Sequence, residues 1–265
     1  MPNGKRFLVN MIHERFRAKR AAGQPVFGTS LRFRDAGIVE MIGGGWDFVW
    51  IDLQHGTIGA DHLFDIVRAC DLVGVTSLVR MPLNPSGIGW VLDMDVGGVI
   101  IAQVDTVCQA REAVKAARFP PAGDRSYGGR RIIDRQGRDY ATDANMRQLL
   151  FLQVESPQAL DACAELAALD GVDGLMLGPD DIRLRLGQPL SGPIMDGPLY
   201  EASTKLVNAC RAVSKLTVMI VPPRRAEIRK AMQMGATLIS LGADATFLKT
   251  GSASALVEAS AAWET

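Results

Sequence analysis

The sequence predicts a single α/β domain, a (β/α)8 TIM barrel, and three features of the chain predict it. Short apolar segments alternate with amphipathic helical patterns about eight times. The length of 265 residues fits the roughly 250 that this barrel needs. Several apolar segments stop abruptly at charged residues, as parallel strands do when they carry a site at their carboxyl ends. No linker, composition shift or further repeat divides the chain, so residues 1–265 are assigned to one domain.

The predicted strands are short buried runs rich in β-branched and aromatic residues. The clearest is Phe48-Val49-Trp50-Ile51, which stops at the carboxylate of Asp52. In chain order the predicted strands cover residues 24–30, 48–52, 77–79, 98–104, 149–154, 174–177, 216–221 and 237–241.

Helical patterns fill the intervals, with Asp61 and Ser156 as candidate N-caps. The basic segment 1–20 is expected to form a helix that caps the closed end of the barrel. Residues 119–139 interrupt the rhythm with Pro120-Pro121, Gly128-Gly129 and five arginines, and they are too long for a simple connector.

Composition excludes several classes of function. Lys plus Arg equals Asp plus Glu at 29 each, which argues against a nucleic-acid partner. No apolar run reaches the roughly 18 residues of a membrane span. Four widely spaced cysteines without a CxxC motif are interpreted as buried thiols in a reducing compartment, so we expect a cytoplasmic protein.

Polar side chains stand at the ends of four predicted strands, and a barrel brings such ends together on one face. Glu155 and Asp181 follow consecutive strands, about 4.8 Å apart, so both could reach one hard cation such as Mg²⁺ or Mn²⁺. Arg80 offers a planar cation for a carboxylate or enolate oxygen. His55 offers a titratable base whose tautomer Asp52 could fix.

Each of these residues alone has an ordinary structural explanation. His55 could be a solvated residue at a strand exit, and Glu155 or Asp181 could cap the helix that starts beside it. The coincidence of four such strand ends favours a catalytic site over four unrelated caps and loops.

These residues lie in segments that resemble the HpcH/HpaI-type class II pyruvate aldolases. The resemblance runs from about residue 26 to residue 248, and its specific part is QVES followed by GPDDI with an upstream DxxH. The matching segments are IDLQHG, VRMP, FPPAGDRSYGG, QVES and GVDGLMLGPDDI. The resemblance implies a modified barrel that makes or breaks a carbon–carbon bond next to pyruvate with a divalent metal, usually Mg²⁺, Mn²⁺ or Co²⁺.

Carried over residue by residue, the resemblance makes Glu155 and Asp181 the metal ligands and places Gln153 beside the bound substrate. Arg80 matches the arginine that contacts the pyruvate oxygens, and His55 matches the histidine that moves protons through water.

The remaining carried-over residues extend the site. Asp52 matches the acid just before the histidine. Asp93 matches an aspartate that reaches a neighbouring subunit's site, which implies a homo-oligomer, commonly a hexamer built as a trimer of dimers. We assign Gly178, Pro179 and Asp180 to substrate binding, because the amides of Gly178 and of residues 180–182 at a helix start would suit the pyruvate carboxylate.

The chain departs from the family pattern in three places. Asp95 stands where the family has glycine, and Ala102-Gln103 replaces a common Pro-Met. An arginine-rich segment follows Gly129, and it could recognise an acidic or polyhydroxylated substrate or form a solvated or intersubunit face. Its arginines are Arg130, Arg131, Arg135 and Arg138.

The function expected from these residues is reversible cleavage of a 4-hydroxy-2-oxoacid to an aldehyde and pyruvate, or a related 2-oxoacid such as hydroxypyruvate. One alternative is a citrate-lyase-β-like or malyl-CoA-type lyase, for which only the arginine-rich segment could meet the phosphates of coenzyme A. Another is a non-catalytic barrel that binds ketoacids.

Overall fold

A computed structural model describes residues 13–263 and shows a closed barrel of eight parallel strands, paired in chain order with β8 beside β1. The prediction of a (β/α)8 barrel is therefore confirmed, and strand bounds differ from the predicted ones by at most a few residues. The strands are β1 (Val26–Leu31), β2 (Phe48–Asp52), β3 (Thr76–Pro82), β4 (Gly98–Ala102), β5 (Leu149–Val154), β6 (Gly174–Leu177), β7 (Leu216–Val221) and β8 (Leu238–Ala243).

At least one helix follows each of the eight strands, and the helices cover the outside of the barrel. The segment after β4 carries additional short helices, including α7, which the sequence did not predict. The helices are α1 (Glu14–Ala21), α2 (Ala36–Ile42), α3 (Ala60–Val73), α4 (Pro85–Leu92), α5 (Val107–Ala117), α6 (Arg130–Gln136), α7 (Ala141–Arg147), α8 (Pro157–Asp161), α9 (Cys163–Ala168), α10 (Pro179–Arg185), α11 (Gly197–Ala212), α12 (Arg225–Met234) and α13 (Asp244–Trp263).

Strand residues alternate between the barrel interior and the layer under the helices, as a two-residue period requires. Phe48, Trp50 and Phe151 belong to the interior cluster, whereas Val49 and Ile51 pack outward against the helices. The same alternation directs Asp52 inward at the carboxyl end of β2, which is how an apolar strand delivers a carboxylate to the mouth of the barrel.

The amino-terminal end of the barrel is closed by α1. Phe16 is 3% exposed and meets the ring of Phe48 edge-on, with centroids 6.3 Å apart. This contact agrees with the predicted capping helix for residues 14–21, while residues 1–12 of the predicted segment lie outside the described residues.

Two local predictions were wrong. Asp61 does not cap α3, because the residue at the N-cap is Gly59 and Asp61 lies within the first turn. Cys108 is exposed on α5, whereas the other three cysteines are buried as expected. Ser156 does cap α8, since its Oγ accepts from the amide of Ala159 at 3.0 Å.

Within residues 13–263, no helix has both the length and the apolar character to cross a membrane.

Candidate active site

One wall of the mouth is a buried ion pair between neighbouring strands. The β2–β3 register sets Asp52 directly beside Arg80. Nε of Arg80 donates to Oδ1 of Asp52 at 3.0 Å and Nη2 donates to Oδ2 at 2.6 Å. The guanidinium also lies 4.7 Å from the ring centroid of Trp50, whose indole N–H donates to Ser240. Two hydrogen bonds and an aromatic face thus fix the plane of Arg80.

Asp52 orients the loop that carries His55, but not the imidazole. Its Oδ1 accepts from the amides of Gln54 and His55, each at 3.1 Å. Burial would raise the pKa of Asp52, but the hydrogen bonds and charge of Arg80 hold it below its ordinary value. The sequence suggested that Asp52 could fix the tautomer of His55. In the structure, the Asp52 carboxylate instead accepts hydrogen bonds from the backbone amide of His55 and from the side chain of Arg80. The side chain of His55 is exposed at the rim of the mouth.

The opposite wall holds the two acids from β5 and β6. Glu155 is 1% exposed, and Oε2 accepts from the amide of Gln103 at 2.9 Å. Burial, and next the neighbouring Asp181 carboxylate, raise the pKa of Glu155 to about 7. A carboxylate that is buried beside a second carboxylate is destabilised in its charged form, and a bound cation would remove that cost. Neither acid is an N-cap, because Ser156 caps α8 and Gly178 precedes α10.

Gln103 contacts Glu155 in this wall, and the sequence did not predict this contact. Gln103 adopts φ +57° at the end of β4, a conformation that non-glycine residues rarely take. The residue with this backbone conformation is the one whose amide donates to Glu155. The departure from the family's Pro-Met was the available signal, but sequence alone does not reveal a positive φ.

Close packing at Gly178 leaves no room for a side chain beside the acids. A Cβ built there would lie 2.5 Å from Cγ of Glu155 and 3.0 Å from Nε2 of Gln153. Gln153 is 1% exposed, and its Oε1 has no hydrogen-bond partner within residues 13–263. A buried amide oxygen without a donor, next to two acids, suits a cation or a substrate hydroxyl.

The helix start after β6 is less open than the sequence suggested. The amide of Gly178 donates to the carbonyl of Val154 at 2.9 Å, and that of Ile182 donates to Gly178 at 3.2 Å. Both amides are therefore already used, which corrects their assignment to the pyruvate carboxylate. The amides of Asp180 and Asp181 lie in the first turn, where an intrahelical acceptor does not exist. Pro179 is buried at the first helical position.

The donor set fits a divalent cation that keeps open positions. Across residues 13–263, no cluster of three or more His, Cys, Asp or Glu side chains could hold a metal. Glu155 and Asp181 would therefore supply two ligands, with the oxygen of Gln153 nearby. Mg²⁺ and Mn²⁺ accept such oxygen-poor protein sites because water and substrate oxygens complete the coordination.

Asp93 does not join this site within one chain. It follows α4, which runs back from the mouth, so it lies at the amino-terminal end of the barrel, just before β4. There its Oδ1 accepts from Arg125 at 2.7 Å, and Arg125 also donates to Gln148 at 2.7 Å.

The arginine-rich segment also lies at that far end. Arg131 pairs with Asp71, and Arg135 pairs with both Asp71 and Asp95. Asp95 adopts φ +64°, which explains why the family can place glycine there. These ion pairs lie away from the mouth, so Arg131 and Arg135 do not line the site of their own subunit.

Two arginines of α10 differ in role. Arg183 is 6% exposed and donates to the carbonyls of Leu190, Gly192 and Pro193, so it holds the loop between α10 and α11. Arg185 stays at the rim, 3.9 Å from Asp105.

The chain resembles known proteins in both sequence and structure. Residues 33–250 match the sequence model described as HpcH/HpaI aldolase/citrate lyase. The chain is 32% identical over 250 residues to a hydroxypyruvate/pyruvate aldolase of Sagittula stellata, covering 91% of this chain and 96% of that protein. It is 27% identical over 243 residues to a 4-hydroxy-2-oxo-heptane-1,7-dioate aldolase of Salmonella arizonae, covering 89% and 90%. A crystal structure of an HpcH/HpaI aldolase/citrate lyase family protein from Burkholderia cenocepacia superposes with a TM-score of 0.83 at 26% identity, covering 94% and 99%.

Proposed function

The chain belongs to the HpcH/HpaI aldolase/citrate lyase family, and we propose a specific site for the reaction that follows from this membership. The protein is a carbon–carbon lyase, a metal-dependent class II aldolase. It reversibly cleaves 4-hydroxy-2-oxoacids to an aldehyde and pyruvate, or a related 2-oxoacid such as hydroxypyruvate. The observation that carries the site is the buried Glu155 beside Asp181, across the mouth from Arg80.

We assign the divalent cation to Glu155 and Asp181, and we propose that it is Mg²⁺ or Mn²⁺, with Co²⁺ as a substitute. A cation bound there supplies Lewis-acid polarisation of the keto group of the 2-oxoacid. Gln153 presents its unpartnered amide oxygen to the same space. Gln103 keeps one oxygen of Glu155 in place through its amide, so the other oxygen, Oε1, faces Gly178 and the mouth.

Arg80 binds the oxygens of the 2-oxoacid. Deprotonation of the methyl group builds negative charge on the keto oxygen, and a fixed guanidinium stabilises charge there without reorganising. The Asp52 carboxylate accepts hydrogen bonds from Nε and Nη2 of Arg80 and so positions the guanidinium. It also accepts from the amide of His55 and so holds the loop that carries this residue. Asp52 thus acts through Arg80 and His55.

His55 moves protons at the rim. Its exposed imidazole sits on the loop after β2, next to the strand that bears Arg80, so it can reach the substrate through water. In the cleavage direction it takes the proton of the 4-hydroxyl group and returns it to the methylene carbon of the pyruvate enolate. In the addition direction it takes a methyl proton of pyruvate and delivers it to the aldehyde oxygen.

Asp93 acts in a neighbouring subunit's site in this proposal, because its own site lies at the other end of the barrel. The protein is therefore a homo-oligomer, and we propose a hexamer arranged as a trimer of dimers. The outer part of α13 supports association: its side chains from 248 onward are exposed, including Leu256 at 69% and Trp263 at 91%. Sedimentation at assay concentration tests this, and a fully active monomer would exclude it.

The experiment that tests the function is exchange of the pyruvate methyl protons in D₂O with added Mn²⁺, followed by cleavage of a panel of 4-hydroxy-2-oxoacids in a pyruvate-coupled assay. We expect the methyl protons of pyruvate to exchange only when the protein and the metal are both present. A barrel that only binds ketoacids would give no exchange, and a lyase specific for coenzyme A esters would cleave no member of the panel.

A further inference from the structure

Arg32 is an arginine at the mouth of the barrel that the mechanism above does not use. It follows β1 directly, and the pairing of Leu31 with Ile51 aligns it with Asp52, at the level of Arg80. Leu31 packs into the outer apolar layer. The two-residue period of the strand therefore places Arg32 on the side that faces the barrel axis.

The backbone of Arg32 is fixed on both sides. Its amide donates to both oxygens of Asp244, at 3.1 and 3.0 Å, and Asp244 is 1% exposed. Its carbonyl accepts from the amide of Thr57 at 2.7 Å and from the Thr57 hydroxyl at 3.2 Å. Thr57 lies in the loop that carries His55, so Arg32 is held against the loop of the proposed base.

An irregularity in the barrel produces this geometry. Gly28 pairs with Ser240 but Ser30 pairs with Ala243, so β8 has one extra residue opposite β1, near Gly242 at φ +69°. Such bulges re-aim the residues that follow them. Here the next residue is Asp244, whose carboxylate holds the amide of Arg32.

The guanidinium of Arg32 is left exposed without an ion pair inside the described part of the chain. The charged groups of the proposed catalytic site are compensated. Arg80 pairs with Asp52, and Glu155 and Asp181 together would balance a divalent cation. Arg32 therefore contributes an uncompensated positive charge to the mouth, next to His55.

The position of Arg32 relative to the reacting carbon atoms determines which part of the substrate it can contact. The bond that is made or broken joins the methyl carbon of pyruvate to the aldehyde carbon. Because His55 gives a proton to the aldehyde oxygen in the proposed function, the aldehyde would lie beside His55. Its substituent could then reach the end of β1, since Arg32 is held against the loop that carries His55.

From this placement we propose that Arg32 binds an anionic group, a carboxylate or a phosphate, on the aldehyde partner. The inference rests on the proposed function and assigns the class of aldehyde that the site prefers. Arg32 would select aldehydes with a negative charge a few bonds from the carbonyl, and it would take no part in the proton transfers.

The test compares aldehydes that differ mainly in charge as acceptors for pyruvate. One pair is succinic semialdehyde and its neutral methyl ester, and the other is D-glyceraldehyde 3-phosphate and D-glyceraldehyde. We expect kcat/KM to favour the charged member of at least one pair by about tenfold or more, as hydrogen bonds to charged groups do. The pair that shows the preference identifies carboxylate or phosphate as the recognised group.

Variants then assign the preference to Arg32. Arg32→Gln should lower the charged-to-neutral ratio by about tenfold or more, and Arg32→Lys should keep part of it. Arg224→Gln removes an exposed arginine from the end of β7, two strands away, and should keep the full ratio. This control separates a contact with Arg32 from the general field of the rim.

The outcomes are distinguishable from failure of the proposed function. A wild-type protein without metal-dependent proton exchange would overturn the function itself. Exchange without preference in either pair, a preference that survives Arg32→Gln, or an equal loss in Arg224→Gln would each overturn the role of Arg32 alone.

Discussion

The substitution Gly178→Ala tests the position of Glu155 without changing any charge. The backbone at Gly178 has φ −91° and ψ 98°, which an alanine adopts without strain. The added Cβ would lie 2.5 Å from Cγ and 2.7 Å from Oε1 of Glu155. Carbon atoms in contact prefer about 3.5–4.0 Å, so Glu155 must move by about 1 Å.

Glu155 has little freedom to make that move. It is 1% exposed and tied to the amide of Gln103 at 2.9 Å. Overpacking of this kind costs about 1–3 kcal/mol in stability. The effect on function should be larger, because metal–ligand distances tolerate only about 0.2 Å and a misplacement of about 1 Å can cost about 10²-fold in rate.

The assay is Mn²⁺ titration by electron paramagnetic resonance together with pyruvate proton exchange. We expect Gly178→Ala to weaken Mn²⁺ binding and to slow exchange by about 10²-fold, while circular dichroism shows a folded barrel. Gly251→Ala is the matched control, since a Cβ there meets nothing within 4 Å. If Gly178→Ala bound Mn²⁺ and exchanged protons like wild type, Glu155 would not hold the metal at this position.

Five further substitutions, at four residues, test the groups of the site. Glu155→Gln and Asp181→Asn should each weaken Mn²⁺ affinity severely, and exhaustive chelation should abolish turnover; full turnover without metal would instead indicate a lysine Schiff base. His55→Ala should slow proton exchange by about 10² to 10⁴ with Mn²⁺ binding retained, and a rate within twofold of wild type would leave His55 as a solvated loop residue. Arg80→Lys should bind pyruvate but turn over poorly because it loses the planar fork, whereas Arg80→Ala should lose about 3 kcal/mol of transition-state stabilisation. Wild-type kcat/KM in the alanine form would make Arg80 purely structural.

The barrel and its strand ends were predictable because they depend on local patterns. An apolar run that stops at a charge marks the carboxyl end of a buried strand, and closure of the barrel brings such ends together. Arg80 beside Asp52 follows from register alone, since these residues end adjacent strands. The sequence could not assign the partner of Asp52, because an ion pair to Arg80 and a contact to His55 are equally compatible with the spacing.

The features that escaped prediction depend on backbone conformation. Gln103 holds Glu155 through a left-handed residue, and Asp244 holds Arg32 through a bulge in β8. The amide of Gly178 is consumed by a strand carbonyl. Neither hydrophobic periodicity nor a motif encodes such details, since they follow from the exact pairing of neighbouring strands.

Two departures from the family pattern are structurally linked: Asp95 in place of glycine, and the arginine-rich segment after Gly129. An aspartate where the family has glycine accepts the left-handed conformation poorly, and burial raises the pKa of its carboxyl. Arg135 offsets both costs by donating to Asp95 at 2.9 Å, and Gln136 donates to the same carboxylate. Asp95, Arg135 and Gln136 therefore form one structural unit.

The pairing of charges divides the barrel into two ends with different tasks, although the formal net charge of the chain is zero. At the amino-terminal end, arginines meet acids of the same chain, as Arg125 does with Asp93 and Arg135 with Asp95. Such pairs join helices to the segments that precede the strands, and the opposite charges neutralise each other within the fold. At the mouth, Arg32 remains uncompensated inside the described chain. The unpaired guanidinium of Arg32 would attract anionic aldehydes toward the site, and this attraction would weaken with salt.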